Sequence, residues 1–279
     1  MNYNQDNECF VVSTSAGLRV FCTEEFRVTF IRDFFGGIKM AELLFCTNII
    51  GFVGTGENPC YPSTRFIFWD DVKLMPIGEF DFKTDVLNIK LRRDYVVLLL
   101  EEKIYVYLLN DFKRVDQFVT IPNPQGLVAL SPNMPDSNAC VLAFPEKPAG
   151  RVGIVDFSRG KDNPQKAYVD AHTDELAQIK LSQDGTIMAT CSGKGTFIRI
   201  WDTKKAEMLQ ELRRGSFAVN ITDLTIDSSN MMLACASDQG SIHIFKLSGD
   251  NTKSSMNVLS SFSSYFGSSW STAQFRIED

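Results

Sequence analysis

Ala189-Thr190-Cys191-Ser192-Gly193-Lys194-Gly195-Thr196-Phe197-Ile198-Arg199-Ile200-Trp201 is answered further along the chain by Cys235-Ala236-Ser237-Asp238-Gln239-Gly240-Ser241-Ile242-His243-Ile244-Phe245. Ser192 falls on Ser237, Gly195 on Gly240 and Thr196 on Ser241, a displacement of 45 residues. Each copy reads as a strand of small residues, a glycine turn, and a second β-branched strand that ends in an aromatic. Repetition at this spacing is the pattern of propeller blades, because one four-stranded unit cannot bury its own faces and must stack on the next. Trp69-Asp70 and Trp201-Asp202 put the same dipeptide at the same point of two units.

Outward from these anchors, short apolar or alternating runs recur throughout, including Cys9 to Thr14, Arg65 to Asp70, Tyr95 to Leu100 and Val152 to Phe157. Few windows keep a helical period for long. The reading is an all-β chain, a WD-repeat β-propeller in a single domain over residues 1–279, with six recognisable blades at about 1–38, 39–82, 83–120, 121–172, 173–215 and 216–279. The competing architecture is a β-sandwich with accidental internal similarity.

Composition narrows the function. With 44% hydrophobic and 22% charged residues the chain is ordinarily globular, and its net charge of −6 argues against salt-driven nucleic-acid binding, which needs a basic face. Seven cysteines, odd in number and mostly inside apolar runs, read as reduced thiols of a cytosolic protein. No CxxC pair and only two histidines leave few ligands for a metal, so none is expected. The sequence also contains no nucleophile elbow and no phosphate-binding P-loop, so it reads as a non-enzyme without cofactor.

Against this acidic background, Lys180 to Gly215 holds seven basic residues (Lys180, Lys194, Arg199, Lys204, Lys205, Arg213, Arg214) and four acidic ones, and is expected to form a positive patch. Successive side chains on a strand point to opposite faces, so Arg213 and Arg214 on an outer strand must diverge and serve two sites. Guanidinium groups suit phosphates because their rigid fork donates paired hydrogen bonds and stays charged. The plain alternative is a solvated strand edge whose arginines pair with acids.

The segment Leu212-Arg213-Arg214-Gly215, between Ser192–Arg199 and Gly240–Phe245, resembles the PROPPIN family, the phosphoinositide-binding propellers of autophagy, and is closest to its WIPI-like members. Met40-Ala41-Glu42-Leu43-Leu44-Phe45, Asn58-Pro59-Cys60-Tyr61-Pro62, Phe68-Trp69-Asp70-Asp71, Asn123-Pro124-Gln125-Gly126-Leu127, Ala171-His172 and Tyr265-Phe266 before Trp270-Ser271 agree with it in order and spacing. Two features depart from the family: Ser241 and Gly193 stand where relatives more often carry Thr and a polar residue, and the family's seventh blade is missing or incomplete.

The repeat gathers His172, Ser192, Thr196 and Arg199 with Arg213, and Ser237, Ser241 and His243 with Arg214. That these two sets are pockets for phosphatidylinositol 3-phosphate or 3,5-bisphosphate is what the resemblance implies. A histidine beside a phosphate gains charge as pH drops, so binding is expected to strengthen in mild acid. The alternative for each histidine is a structural hydrogen bond, as in ordinary WD repeats. The Ser-rich stretch 248–269 carries Met256, Val258, Leu259, Phe262, Tyr265 and Phe266 and interrupts the last blade, whose fourth strand is expected to start near Trp270. By resemblance these six residues insert into the bilayer. The resemblance further implies a monomeric adaptor, cytoplasmic and peripheral on autophagosomal or endosomal membranes, that recruits an autophagy lipid-transfer protein through its N-terminal blades. A protein-only WD scaffold for peptides is the alternative.

Overall fold

Tyr95–Leu99 is buried along its whole length, whereas Met75–Asp81 is mostly exposed, and this gradient organises the sheets. The computed structural model describes residues 1–57, 61–133, 137–247 and 268–277, which hold strands and turns and no helix. Six sheets follow one another in chain order, each built around antiparallel neighbours in sequence. In the second, third and fourth, the second strand is largely buried and the fourth largely exposed.

The chain divides into two units, Met1–Gly126 and Leu127–Asp279. The first contains the sheets that begin at Asn2–Tyr3, Ile38–Leu43 and Asn88–Leu91. Val11, Leu18, Phe34, Ile50, Phe52 and Ile67 fill one core between its first and second sheets, and Phe66, Phe68, Val86, Ile89, Val96 and Leu98 fill another between its second and third. In the second unit, the sheets begin at Ala129–Leu130, Leu176–Leu181 and Ile221–Ile226. Here the two faces of the fifth sheet enter two different cores, one shared with the fourth sheet and one with the sixth.

The Trp-Asp dipeptide does the same chemistry twice. The Asp70 carboxylate accepts hydrogen bonds from the main-chain N–H of Val72 (3.0 Å) and Lys73 (3.1 Å), and the Asp202 carboxylate accepts from Lys204 (2.9 Å) and Lys205 (2.8 Å). Each aspartate thereby closes the turn into its sheet's fourth strand. The last residue of each turn has positive φ, 55° at Leu74 and 56° at Ala206. The two glycine turns of the repeat also superpose in role: Gly195 N–H donates to Ser192 O at 2.9 Å and Gly240 N–H to Ser237 O at 3.1 Å, with φ of 58° and 69°.

One expected element lies elsewhere. Ser269–Trp270 does not start the fourth strand of the last sheet; it adds in parallel to the edge of the fifth sheet, with Ser269 beside Leu212 and Trp270 beside Arg213. The fourth strand of the sixth sheet is Ala273–Arg276, antiparallel to Ser241–Lys246. The fifth sheet therefore has five strands. Its outer Glu207–Arg213 strand leaves a main-chain edge open, and a passing segment can satisfy it.

Candidate functional site

The Glu207–Arg213 strand pairs with Phe197–Asp202, so that Phe197 lies opposite Arg213 and Arg199 opposite Glu211. Strand alternation puts Phe197, Arg199, Glu211 and Arg213 on one face and Ile198, Ile200 and Leu212 on the other. The first face continues through Trp201 and Met188 into the core shared with Val152, Ile154, Val169 and Ala171 of the fourth sheet. The second packs on Ile221, Leu224, Cys235 and Phe245 of the sixth. The two arginines therefore diverge, Arg213 toward the fourth-sheet side and Arg214 toward the sixth.

Arg213 is buried, with 4% of its surface exposed, and not at an open rim as its place beside a turn suggests. Its guanidinium carbon lies 4.9 Å from the Trp270 ring centroid and 5.7 Å from that of Phe197, and Nη2 donates to Ser216 Oγ at 3.3 Å. The added edge strand is what brings Trp270 over it. Arg214, half-buried, donates from Nε to Gly195 O at 2.9 Å and from Nη2 to Phe217 O, while its own N–H donates to Thr196 O at 2.9 Å. Burial lowers its pKa below the ordinary arginine value, and Cys235 and Asp238 pull the other way.

Of the first set, Arg199 is committed: Nε reaches Glu211 Oε2 at 2.8 Å and Nη1 donates to Ala171 O at 2.5 Å. His172, buried, places Nε2 3.0 Å from Thr190 Oγ1, and the same hydroxyl accepts a hydrogen bond from Trp201 Nε1 at 3.0 Å. This is the structural arrangement of a WD repeat. Burial, then the Arg199 charge, pushes the His172 pKa down to about 4. Ser192 is buried at the foot of the glycine turn and Thr196 is half-buried just past it. In the second set, Ser237 Oγ and Ser241 Oγ are 2.8 Å apart, and buried His243 has Nδ1 3.3 Å from Ser271 Oγ. Burial and the nearby Arg214 charge lower the His243 pKa.

Two expectations need correction. Burial and a neighbouring arginine lower both histidine pKa values, that of His172 to about 4, so His172 gains no charge in mild acid and burial opposes the gain at His243. Nor do the basic residues from Lys180 to Gly215 form one patch. Lys204 and Lys205 sit in the Asp202 turn, at the far end of strands that are about 20 Å long. Lys194 is paired with Asp174 at 2.9 Å. Met256, Val258, Leu259, Phe262, Tyr265 and Phe266 lie outside the described residues.

Thr190, Glu211, Ser216, Trp270 and Ser271 were not read from the sequence as site residues, although Trp270-Ser271 was noted as a motif. Glu211 was within reach, since it precedes Arg213 by two residues on one strand face. Trp270 was not, because its contact depends on which sheet edge its segment joins.

A family model described as PROPPIN matches residues 1–277. The chain belongs to the PROPPIN family. This PROPPIN is 36% identical over 252 residues to Autophagy-related protein 18e of Arabidopsis thaliana, covering 89% of the chain and 65% of that protein. It is 30% identical over 289 residues to SVP1-like protein 2 of Pichia angusta, covering 99% of the chain and 79% of that protein. It spans 66% of Autophagy-related protein 18 of Dictyostelium discoideum, so it corresponds to about two thirds of the length of several relatives. Among solved structures, Kluyveromyces lactis Hsv2 superposes with a TM-score of 0.80 at 22% identity, over 100% of this chain and 82% of that one. The β-propeller domain of Cps50 (Swd1) gives 0.60 at 11% identity, over 88% and 82%. The fold is a β-propeller, and the six sheets are its blades.

Proposed function

We propose that this PROPPIN is a phosphoinositide-binding adaptor of autophagic or endosomal membranes. The observation that carries the reading is the divergence of consecutive arginines to the two faces of the fifth sheet, Arg213 against the Ser216 hydroxyl and Arg214 near His243. Arg213 on one side has Ser192 and His172 along its face, and Arg214 on the other has Ser237, Ser241 and His243. Two imidazoles, several hydroxyls and two cations suit an inositol ring carrying a 3-phosphate, because hydroxyl groups and phosphates find partners at once. On the first side the guanidinium lies beneath Trp270, so a headgroup reaches it only if the indole moves aside.

The recruiting half of the role has its own support. A solved complex of KlAtg21 with the coiled coil of AgAtg16 superposes on this chain with a TM-score of 0.72 at 25% identity, over 88% of the chain. A coiled-coil or other autophagy protein is therefore the partner class for the adaptor, with a lipid-transfer protein as a second client.

Flotation with phosphatidylinositol 3-phosphate vesicles tests the lipid reading. The native chain floats, and Arg213→Thr/Arg214→Thr stays at the bottom. Because Arg213 is buried, circular dichroism melts accompany the assay, and Arg213→Lys/Arg214→Lys keeps both charges while losing the fork. A folded double threonine variant that floats as well as the native protein leaves the protein-only scaffold as the better reading.

A further inference from the structure

Away from the arginines, the first unit gathers soft and hard cation ligands that no part of the lipid reading uses. The Asp6 and Glu8 carboxylates and the Cys46 thiol bring ligand atoms within 4.8 Å of one another. Cys46 Sγ lies 3.4 Å from Glu8 Oε2 and 4.0 Å from Cys9 Sγ. A tetrahedral zinc ion holds two thiolate sulfurs about 3.8 Å apart, and a sulfur and a carboxylate oxygen about 3.5 Å apart, from bond lengths of about 2.3 and 2.0 Å. The spacings already present match both to within a few tenths of an ångström.

The loops that carry these ligands are tied together. Buried Asn4 accepts a hydrogen bond from Cys9 N at 3.1 Å on Oδ1 and approaches Cys46 Sγ with Nδ2 at 3.5 Å, so one amide orients both cysteines. Gln5 Oε1 accepts from Phe45 N at 2.6 Å, and Gln5 Nε2 donates to Leu43 O at 2.8 Å, fixing the Cys46 turn against the Asn4–Cys9 turn. Such outer partners are what orient metal ligands in built sites.

We propose that Asp6, Glu8 and Cys46 form a binding site for one thiophilic divalent cation, zinc or a chemical relative, and that Cys9, whose sulfur lies 4.0 Å from that of Cys46, turns in to complete it. A cysteine binds the cation as its thiolate, so binding releases the thiol protons.

Cobalt(II) titrated into the reduced full chain is the probe. One equivalent produces thiolate-to-cobalt charge-transfer absorption with the intense visible bands of tetrahedral cobalt, releases protons, and is displaced by zinc. Peptide mapping after alkylation then shows Cys9 and Cys46 protected by the metal. Exposed Cys46 is open to replacement without loss of the fold, and Cys46→Ser abolishes the charge-transfer band. Asp6→Asn/Glu8→Gln weakens binding by more than the roughly 10–100-fold that loss of an outer partner costs. Absence of the band in the reduced native chain overturns the proposal, as does protection mapped to other cysteines. A chain that binds no cobalt when reduced but joins Cys9 to Cys46 on air oxidation assigns the pair to redox chemistry and equally overturns it.

Discussion

His172 holds a place in the fold that its sequence neighbours do not disclose. Its place in the Ala171-His172 dipeptide marks it in the sequence, but its ring nitrogen meets the Thr190 hydroxyl, which also accepts from Trp201. A buried polar trio of this kind is strong only while every member is satisfied. Thr190→Val keeps the shape and removes the shared hydroxyl, leaving Trp201 N–H and His172 Nε2 buried without it. The expected loss is about 1–3 kcal/mol for each orphaned group, read from a denaturant midpoint. The lowered pKa adds a pH dependence. Between roughly pH 6.5 and about 4 the unfolded chain holds the His172 proton and the native chain does not, so stability rises with pH in that window and is lost as pH falls through it. At pH 5 the His172 contribution is about 2 kcal/mol less favourable than at pH 7. His172→Gln should flatten that part of the stability curve, and an unchanged curve for the variant places the imidazole in a far more solvated setting. The dipeptide was legible in the sequence; the role was not, because it depends on a threonine 18 residues away and a tryptophan on the next strand.

At the scale of the element, the blade repeat was legible because its cues are local. A glycine of positive φ closes the second turn in both copies, and an aspartate after tryptophan closes the third in two sheets. The glycines are equivalent in conformation but not in surroundings. A Cβ at Gly195 would run into the Val219 carbonyl oxygen, whereas at Gly240 the nearest atom is Ile277 O at 3.2 Å. Both alanine substitutions lose about 1–2 kcal/mol from the left-handed backbone, and Gly195→Ala must also displace the main chain that leads to Ile221. Thermal midpoints should therefore fall further for Gly195→Ala than for Gly240→Ala, and equal falls would remove Val219 from the account. The Ser269–Trp270 strand was not legible for a physical reason. A two-residue strand has no periodicity, and an edge of the fifth sheet or of the sixth could accept it with the same main-chain bonds. Hence Arg213 reads as a rim residue in sequence and lies under Trp270 in the fold.

At the scale of the whole molecule, the proposed lipid binding has to work against the net charge. A chain of net charge −6 is repelled at long range by an anionic leaflet, so attraction has to come from the few cations at one end of the fifth sheet. Lys204 and Lys205 lie at the other end, and Arg213 and Arg214 are the central pair of the lipid reading. A protein held by many diffuse charges loses affinity steeply with salt, whereas one held by two forked contacts in part-buried sites is screened much less. Flotation on phosphatidylinositol 3-phosphate vesicles should accordingly change little between about 0.05 and 0.15 M salt, and phosphatidylserine vesicles without phosphoinositide should recruit nothing. Engaging the second site at the high local lipid concentration set by the first multiplies affinity by about 10²–10⁴. Arg214→Thr, which spares the buried Arg213, should therefore lose most vesicle binding while keeping one of two sites for a soluble short-chain phosphoinositide in calorimetry. Steep salt dependence, together with equal flotation on phosphatidylserine alone, would show generic electrostatic adhesion and would remove the two arginine sites from the mechanism.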